Sequence, residues 1–307
     1  MNYESFVDYI FKNVENKLTE DCKVTLEKVT KNNGKILDAI VIAKNDVCIA
    51  PTIYLNHLYH NYLEGFSLES IVESIFNIYN ENSDGARYET GFITNYDLAK
   101  ERLVLKLINY EQNKKLLETV PHMQYLDLAI VFSYVFENPE REFSSILIND
   151  SLLSNWNVSK EDLYKQALIN SPNILPHTYS SLLSTIKKMD TFDELPEFEE
   201  DECIIPDPSA DCGQCMFVLT NTARINGAAC IFYKGLLNEI SNMHKTDLII
   251  IPSSIHEVII IPKIGELKRD FINKMIQDVN VTHLKDEDVL SDHAYLYSHS
   301  RRKIESI

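Results

Sequence analysis

The alternation of apolar and polar residues divides the chain into helices and strands that interleave without a fixed order. Phe6, Val7, Ile10, Phe11, Val14 and Leu18 recur at helical spacing and predict an amphipathic first helix. Lys23 to Val29 and Lys35 to Ile42 then read as strands around Asn32-Asn33-Gly34, where Asn-Gly accepts the positive φ of a hairpin turn. A third strand is expected at Val47 to Ala50, followed by a helix that starts at Thr52 or Ile53 and stops at Gly65. Ser67 caps the next helix, with Ile71, Ile75 and Ile78 facing inward and Glu69 and Glu73 outward.

The middle of the chain continues the mixture. Arg102 to Asn109 fits a strand or a helix end, and Glu111 to Val120 fits a helix. Asp127 to Phe136 reads as a buried strand with Glu142 to Asn149 paired beside it. Ser159, with Asp162 three residues on, opens a helix that Pro172 and Pro176 are expected to break, and Thr178 to Met189 forms another. Further on come strands at Met216 to Thr220 and Ala228 to Phe232 and a helix from Lys234 to His244. Asp247 to Pro262, DLIIIPSSIHEVIIIP, follows as two aliphatic arms around a polar turn, and then a helix from Gly265 to Val279. Strands and helices mix without regular βαβ alternation. The expected fold is therefore α+β, with mixed, largely antiparallel sheets and flanking helices.

Charge adds a boundary. The formal charge is −17, but Asp190 to Asp211 holds ten acids and no Lys or Arg. Removing those ten from the 46 acids leaves 36 against 29 bases, a balance of −7. The segment also carries Pro196, Pro206 and Pro208, so it reads as a linker or surface loop. The expected organisation is an N-terminal α+β region over residues 1–189, this acidic linker at 190–212, and a C-terminal α+β region over 213–307. An acidic surface disfavours nucleic acid and anionic membranes, because both are bound through phosphate neutralisation. With no apolar run long enough to span a bilayer and an amphipathic start in place of a signal peptide, the expected compartment is the cytoplasm, where thiols stay reduced.

Candidate chemistry concentrates in the polar turn. Ser253, Ser254, His256 and Glu257 supply a nucleophile, a base and an orienting acid within five residues. The plainer reading is a hairpin turn whose serines and histidine satisfy backbone groups, since no GxSxG elbow is present and such triads usually gather from distant segments. Cys212-Gly213-Gln214-Cys215 is a CxxC, with Cys203 and Cys230 as the nearest further thiols, but the spacing matches no zinc module. His57, His60 and Glu64 share a helix face, where a polar stripe explains them as well as a metal would. The glycines form neither GxGxxG nor GxxxxGK[ST], and no cofactor is expected.

Several segments taken in order resemble a family of uncharacterised bacterial proteins, common in Clostridia and defined only as a domain of unknown function. They are Val29 to Gly34, Ala50 to Asn56, Asp127 to Phe132, Val218-Leu219-Thr220-Asn221 with Gly227-Ala228-Ala229, Pro252 to Val258, Asp278 to Thr282, and Leu290-Ser291-Asp292. The resemblance implies no activity, cofactor or catalytic residue, and the CxxC and the His57/His60 pair lie outside it. Its residues Asn221, His256 and Asp292 mark a candidate shared surface. The expectation is a non-catalytic binding or interaction protein, with a protein as its partner. The alternative is a hydrolase or transferase acting through the Ser-Ser-Ile-His-Glu turn with Asp292 brought near.

Overall fold

The computed structural model describes residues 1–19, 21–44, 50–82, 90–136, 144–182, 184–185, 216–265 and 269–307. They form two compact units, Met1–Ile93 and Thr94–Ile307. The acidic segment, with Cys203, Cys212 and Cys215, lies outside the described residues, as does the strand expected at Val47 to Ala50 except for Ala50.

The first unit follows its hydrophobic pattern. Helix α1 (Tyr3–Lys17) starts where the Asn2 side chain accepts the Ser5 N–H, and it buries Phe6, Val7, Ile10 and Val14. Strands β1 (Cys22–Thr30) and β2 (Ile36–Lys44) pair antiparallel along their whole length, from Cys22 opposite Lys44 to Thr30 opposite Ile36. The turn between them places Asn33 at φ 58° and Gly34 at φ 70°, the backbone that Asn-Gly tolerates. Thr52 and Ile53 do not begin a helix: β3 (Thr52–Tyr54) adds a third strand beside β2, and α2 (Leu55–Leu63) starts only after it. Helix α3 (Leu68–Asn82) is capped by the Ser67 hydroxyl, which accepts the Ser70 N–H at 3.1 Å. The three helices close over the sheet around Phe6, Ile10, Ile40, Ile42, Ile53, Leu55 and Ile75.

The second unit holds two antiparallel sheets. After α4 (Tyr96–Ala99), β4 (Leu103–Asn109) pairs with β6 (Leu128–Val135), and β5 (Met123–Tyr125) and β7 (Ser145–Leu147) flank the other side of β6. Every residue of β6 is buried. The helix expected over Glu111 to Val120 is reduced to one turn, α5 (Lys114–Leu117). Helices α6 (Asp150–Trp156) and α7 (Lys160–Ile174) follow, and α7 opens with the expected capping box between Ser159 and Asp162. Pro172 does not break α7, which runs two residues past it. In that last turn Asn170 and Ser171 are held on β4: Asn170 Nδ2 donates to the Leu103 carbonyl at 3.1 Å, and Ser171 Oγ accepts the Leu105 N–H at 2.9 Å. These side-chain bonds anchor the turn despite the proline.

The larger sheet runs, in spatial order, Lys303–Ser306 (β13), Tyr295–Ser298 (β12), Leu248–Pro252 (β10), Val258–Pro262 (β11), Phe217–Asn221 (β9) and His177–Ser181 (β8). Residues His177–Ser181 form strand β8 where a helix was expected, and β8 pairs with β9 (Phe217–Asn221). Strands from either side of the acidic segment are thus neighbours within one unit. The expected strand at Ala228 to Phe232 is instead a 3₁₀ helix over Gly227–Phe232, followed by α8 (Leu236–His244). Strands β10 (Leu248–Pro252) and β11 (Val258–Pro262) make the hairpin of DLIIIPSSIHEVIIIP, and α9 (Arg269–His283) packs Ile276 onto its Ile249, Ile251 and Ile261. The chain ends in β12 (Tyr295–Ser298) and β13 (Lys303–Ser306), which the sequence pattern did not reveal. The fold is α+β, as expected.

Candidate functional site

The β10–β11 hairpin holds its turn by pairing every residue from Leu248 to Pro252 with one from Pro262 back to Val258. Neighbouring segments then fix the turn from outside. The Ser254 N–H donates to the Glu257 carbonyl at 3.1 Å, closing the loop on itself. The Ile255 N–H donates to the Asp288 carbonyl at 2.9 Å, and the Ile255 carbonyl accepts the Ala228 N–H at 3.3 Å. From β9, the Thr220 hydroxyl donates to the His256 carbonyl at 2.7 Å. Gly227 permits this approach. A Cβ there would overlap Thr220 Oγ1 and the His256 carbonyl oxygen, and would sit 2.9 Å from the Asn221 nitrogen.

The His256 ring is committed at both nitrogens. Nδ1 accepts the Asn226 N–H at 3.2 Å, so in the neutral ring the proton is on Nε2, which lies 3.3 Å from Asp288 Oδ1 and donates to it. Asn226 reaches this position from a left-handed backbone, φ 55°. Neither candidate serine meets the imidazole. Ser254 Oγ accepts the backbone N–H of His256 at 3.0 Å, and Ser253 Oγ faces Glu257 Oε1 at 3.4 Å. Four of the expected residues therefore gather, but the hydroxyls and the ring face different partners. A proton taken at Nδ1 would break the bond from Asn226.

The other two candidates have local tasks. Asn221, 1 % exposed, uses its side chain to close the loop after β9, donating to the Ile225 carbonyl at 2.9 Å and accepting the Ile225 N–H at 3.4 Å. Asp292 is exposed and accepts from Asn280 Nδ2 at 2.9 Å. The acid that reaches His256 is Asp288, four residues earlier.

A second polar cluster was not anticipated. Asp127, at the turn into β6, accepts from the Ser291 hydroxyl at 2.6 Å and the Tyr295 hydroxyl at 2.9 Å, and His293 Nε2 lies 3.3 Å from its carboxylate. Ser291 and Tyr295 are almost completely buried. Burial, with Asp127 beside it, pushes the Tyr295 phenol far above its ordinary range. The signal was the alternation Ser291, His293, Tyr295, which puts three donors on one side of an extended segment.

Among the described residues no three His, Cys, Asp or Glu side chains are grouped to hold a metal ion. His57 and His60 are exposed on α2. Cys230 is buried, donates its thiol to the Thr220 carbonyl at 3.3 Å, and has its pKa pushed up to about 12 by burial.

Several of the segments that carried the family resemblance, all within Thr94–Ile307, converge in these two places. Val218 to Asn221, Gly227 to Ala229 and Pro252 to Val258 meet around His256, while Asp127 and Leu290 to Asp292 meet at the second cluster. No curated protein matches the chain, and no solved structure does. The model of a family of unknown function, DUF5688, matches residues 3–299. The chain belongs to the DUF5688 family.

Proposed function

We propose that the protein is a non-catalytic binding or interaction protein of the bacterial cytoplasm, acting on a protein partner. The observation that supports this reading is the double engagement of His256, with Nδ1 on the Asn226 N–H and Nε2 on Asp288. General-base catalysis needs a ring nitrogen within reach of the proton to be removed. Here both nitrogens hold loops together, and Ser254 is only 7 % exposed. The formal charge of −17 favours a protein partner over nucleic acid or an anionic membrane.

A fluorophosphonate probe tests the reading on the intact chain, because it phosphonylates only serines activated by a neighbouring base, the serine oxygen displacing fluoride from phosphorus. Intact-mass measurement after incubation is expected to show no adduct on Ser253 or Ser254. An adduct on either serine that disappears in His256→Gln would overturn the proposal in favour of a hydrolase or transferase.

A further inference from the structure

Strand β1 pairs with β2 over nine residues on one side and, among the described residues, has no strand on the other, since the sheet order is β1-β2-β3. Apart from the Cys22 N–H, bound to the Thr19 carbonyl at 3.0 Å, the β1 backbone makes hydrogen bonds only to β2 among the described residues. At about 3.4 Å per residue this open edge is about 30 Å long. Such edges are templates for strand addition unless they are covered. Strand β4 shows how this fold covers one: Asn170 and Ser171 of α7 bind the Leu103 carbonyl and the Leu105 N–H. No side chain does this for β1 among the described residues.

The surroundings of the edge are shaped as well. A hollow of about 290 Å³ lies beside the start of β1, lined by Glu15 of α1, by Leu18 just past that helix, and by Cys22, Lys23 and Val24. At mid-strand, Leu26 is 41 % exposed. Glu15, Lys23, Glu27 and Lys28 are exposed, and none has an ion-pair partner among the described residues.

We propose that β1 is a self-pairing edge: two copies of this chain join antiparallel, β1 to β1, about a twofold axis through Leu26. The two three-stranded sheets then become one of six strands. The charges select this occupant. With Leu26 opposite its counterpart, Val24 opposes the partner's Lys28 on the face that bears the hollow, which brings that ammonium toward Glu15. On the other face Lys23 lies diagonal to the partner's Glu27, about 7 Å across the ladder. The twofold repeats both pairs, as an isologous contact requires. Lysines on an edge strand ordinarily discourage pairing. Here each lysine meets an acid when the incoming strand is a second β1 in this register.

The inference supplies a partner for the interaction reading above and rests on it, but the two experiments fail separately. A monomeric chain leaves the fluorophosphonate result untouched, and a labelled serine leaves the assembly untouched. Sedimentation of the full chain from micromolar to several hundred micromolar is expected to show a reversible monomer–dimer equilibrium. Lys28→Glu and Glu15→Lys should each weaken it about tenfold, from two symmetric pairs that turn repulsive. The double variant should restore the wild-type constant to within about threefold, a rescue that a folding defect would not produce. Leu26→Lys should abolish dimerisation. A chain that stays monomeric throughout, or a dimer indifferent to Lys28→Glu and Leu26→Lys, would overturn the proposal.

Discussion

At Gly227 a single methyl group is too much. The Thr220 hydroxyl, the His256 carbonyl and the Asn221 nitrogen already occupy the space where a Cβ would go, and two of the three are backbone atoms that cannot rotate away. Gly227→Ala is therefore expected to cost about 3 kcal/mol, the upper end of overpacking, read as a lowered urea midpoint. The sequence made the turn around His256 legible, because Pro-Ser-Ser between two isoleucine-rich arms is local information. It did not reveal the partner of His256. Asp288 and Asp292 are equally plausible by position in the chain, and only the bond from the Ile255 N–H to the Asp288 carbonyl decides which acid is near. Asn226 was invisible for the same reason, since its role is played by a backbone N–H.

Whole elements were legible where periodicity ran long and uniform. The helical spacing of α1 and the Asn-Gly hairpin of β1 and β2 came through because each signal is local and repeated. Short elements failed. Gly227–Phe232 is an apolar run whose length suits a strand as well as a 3₁₀ turn, and the tight packing of Gly227 under His256 settles it. Strands β12 and β13 were hidden in a charged tail whose Arg301 and Arg302 occupy the turn between them. That tail is tied to β6 through Asp127, which accepts hydrogen bonds from Ser291 and Tyr295. Asp127→Ala leaves the buried Tyr295 hydroxyl without its acceptor and should destabilise by about 3 kcal/mol. Tyr295→Phe removes the donor and leaves the carboxylate its other two partners, Ser291 and His293, and should cost about half as much. Urea midpoints of the two variants check the order.

On the scale of the molecule, two units with separate hydrophobic cores predict two unfolding transitions, not one. Calorimetry of Gly227→Ala should lower only the transition that belongs to Thr94–Ile307. Stability in that unit should also fall with acid. Burial draws the His244 pKa below its ordinary 6.5, and its Nε2 lies 2.8 Å from the Tyr179 hydroxyl. A histidine depressed in the folded state contributes stability that is fully present above the unfolded value of about 6.5. It is lost as pH falls through the folded value, because the unfolded chain binds the proton more readily. His244→Gln should therefore flatten part of the decline seen in urea titrations below about pH 6.5.

The account turns on whether His256 is a fixture of the fold. A long-range proton–nitrogen correlation spectrum of the imidazole side chains reads this directly at neutral pH. The structure predicts one tautomer for His256, with Nε2 protonated and Nδ1 carrying the lone pair that receives the Asn226 N–H. A ring that averages between both tautomers, as a solvent-exposed histidine does, would contradict the account and return the Ser-Ser-Ile-His-Glu turn to the candidates for catalysis.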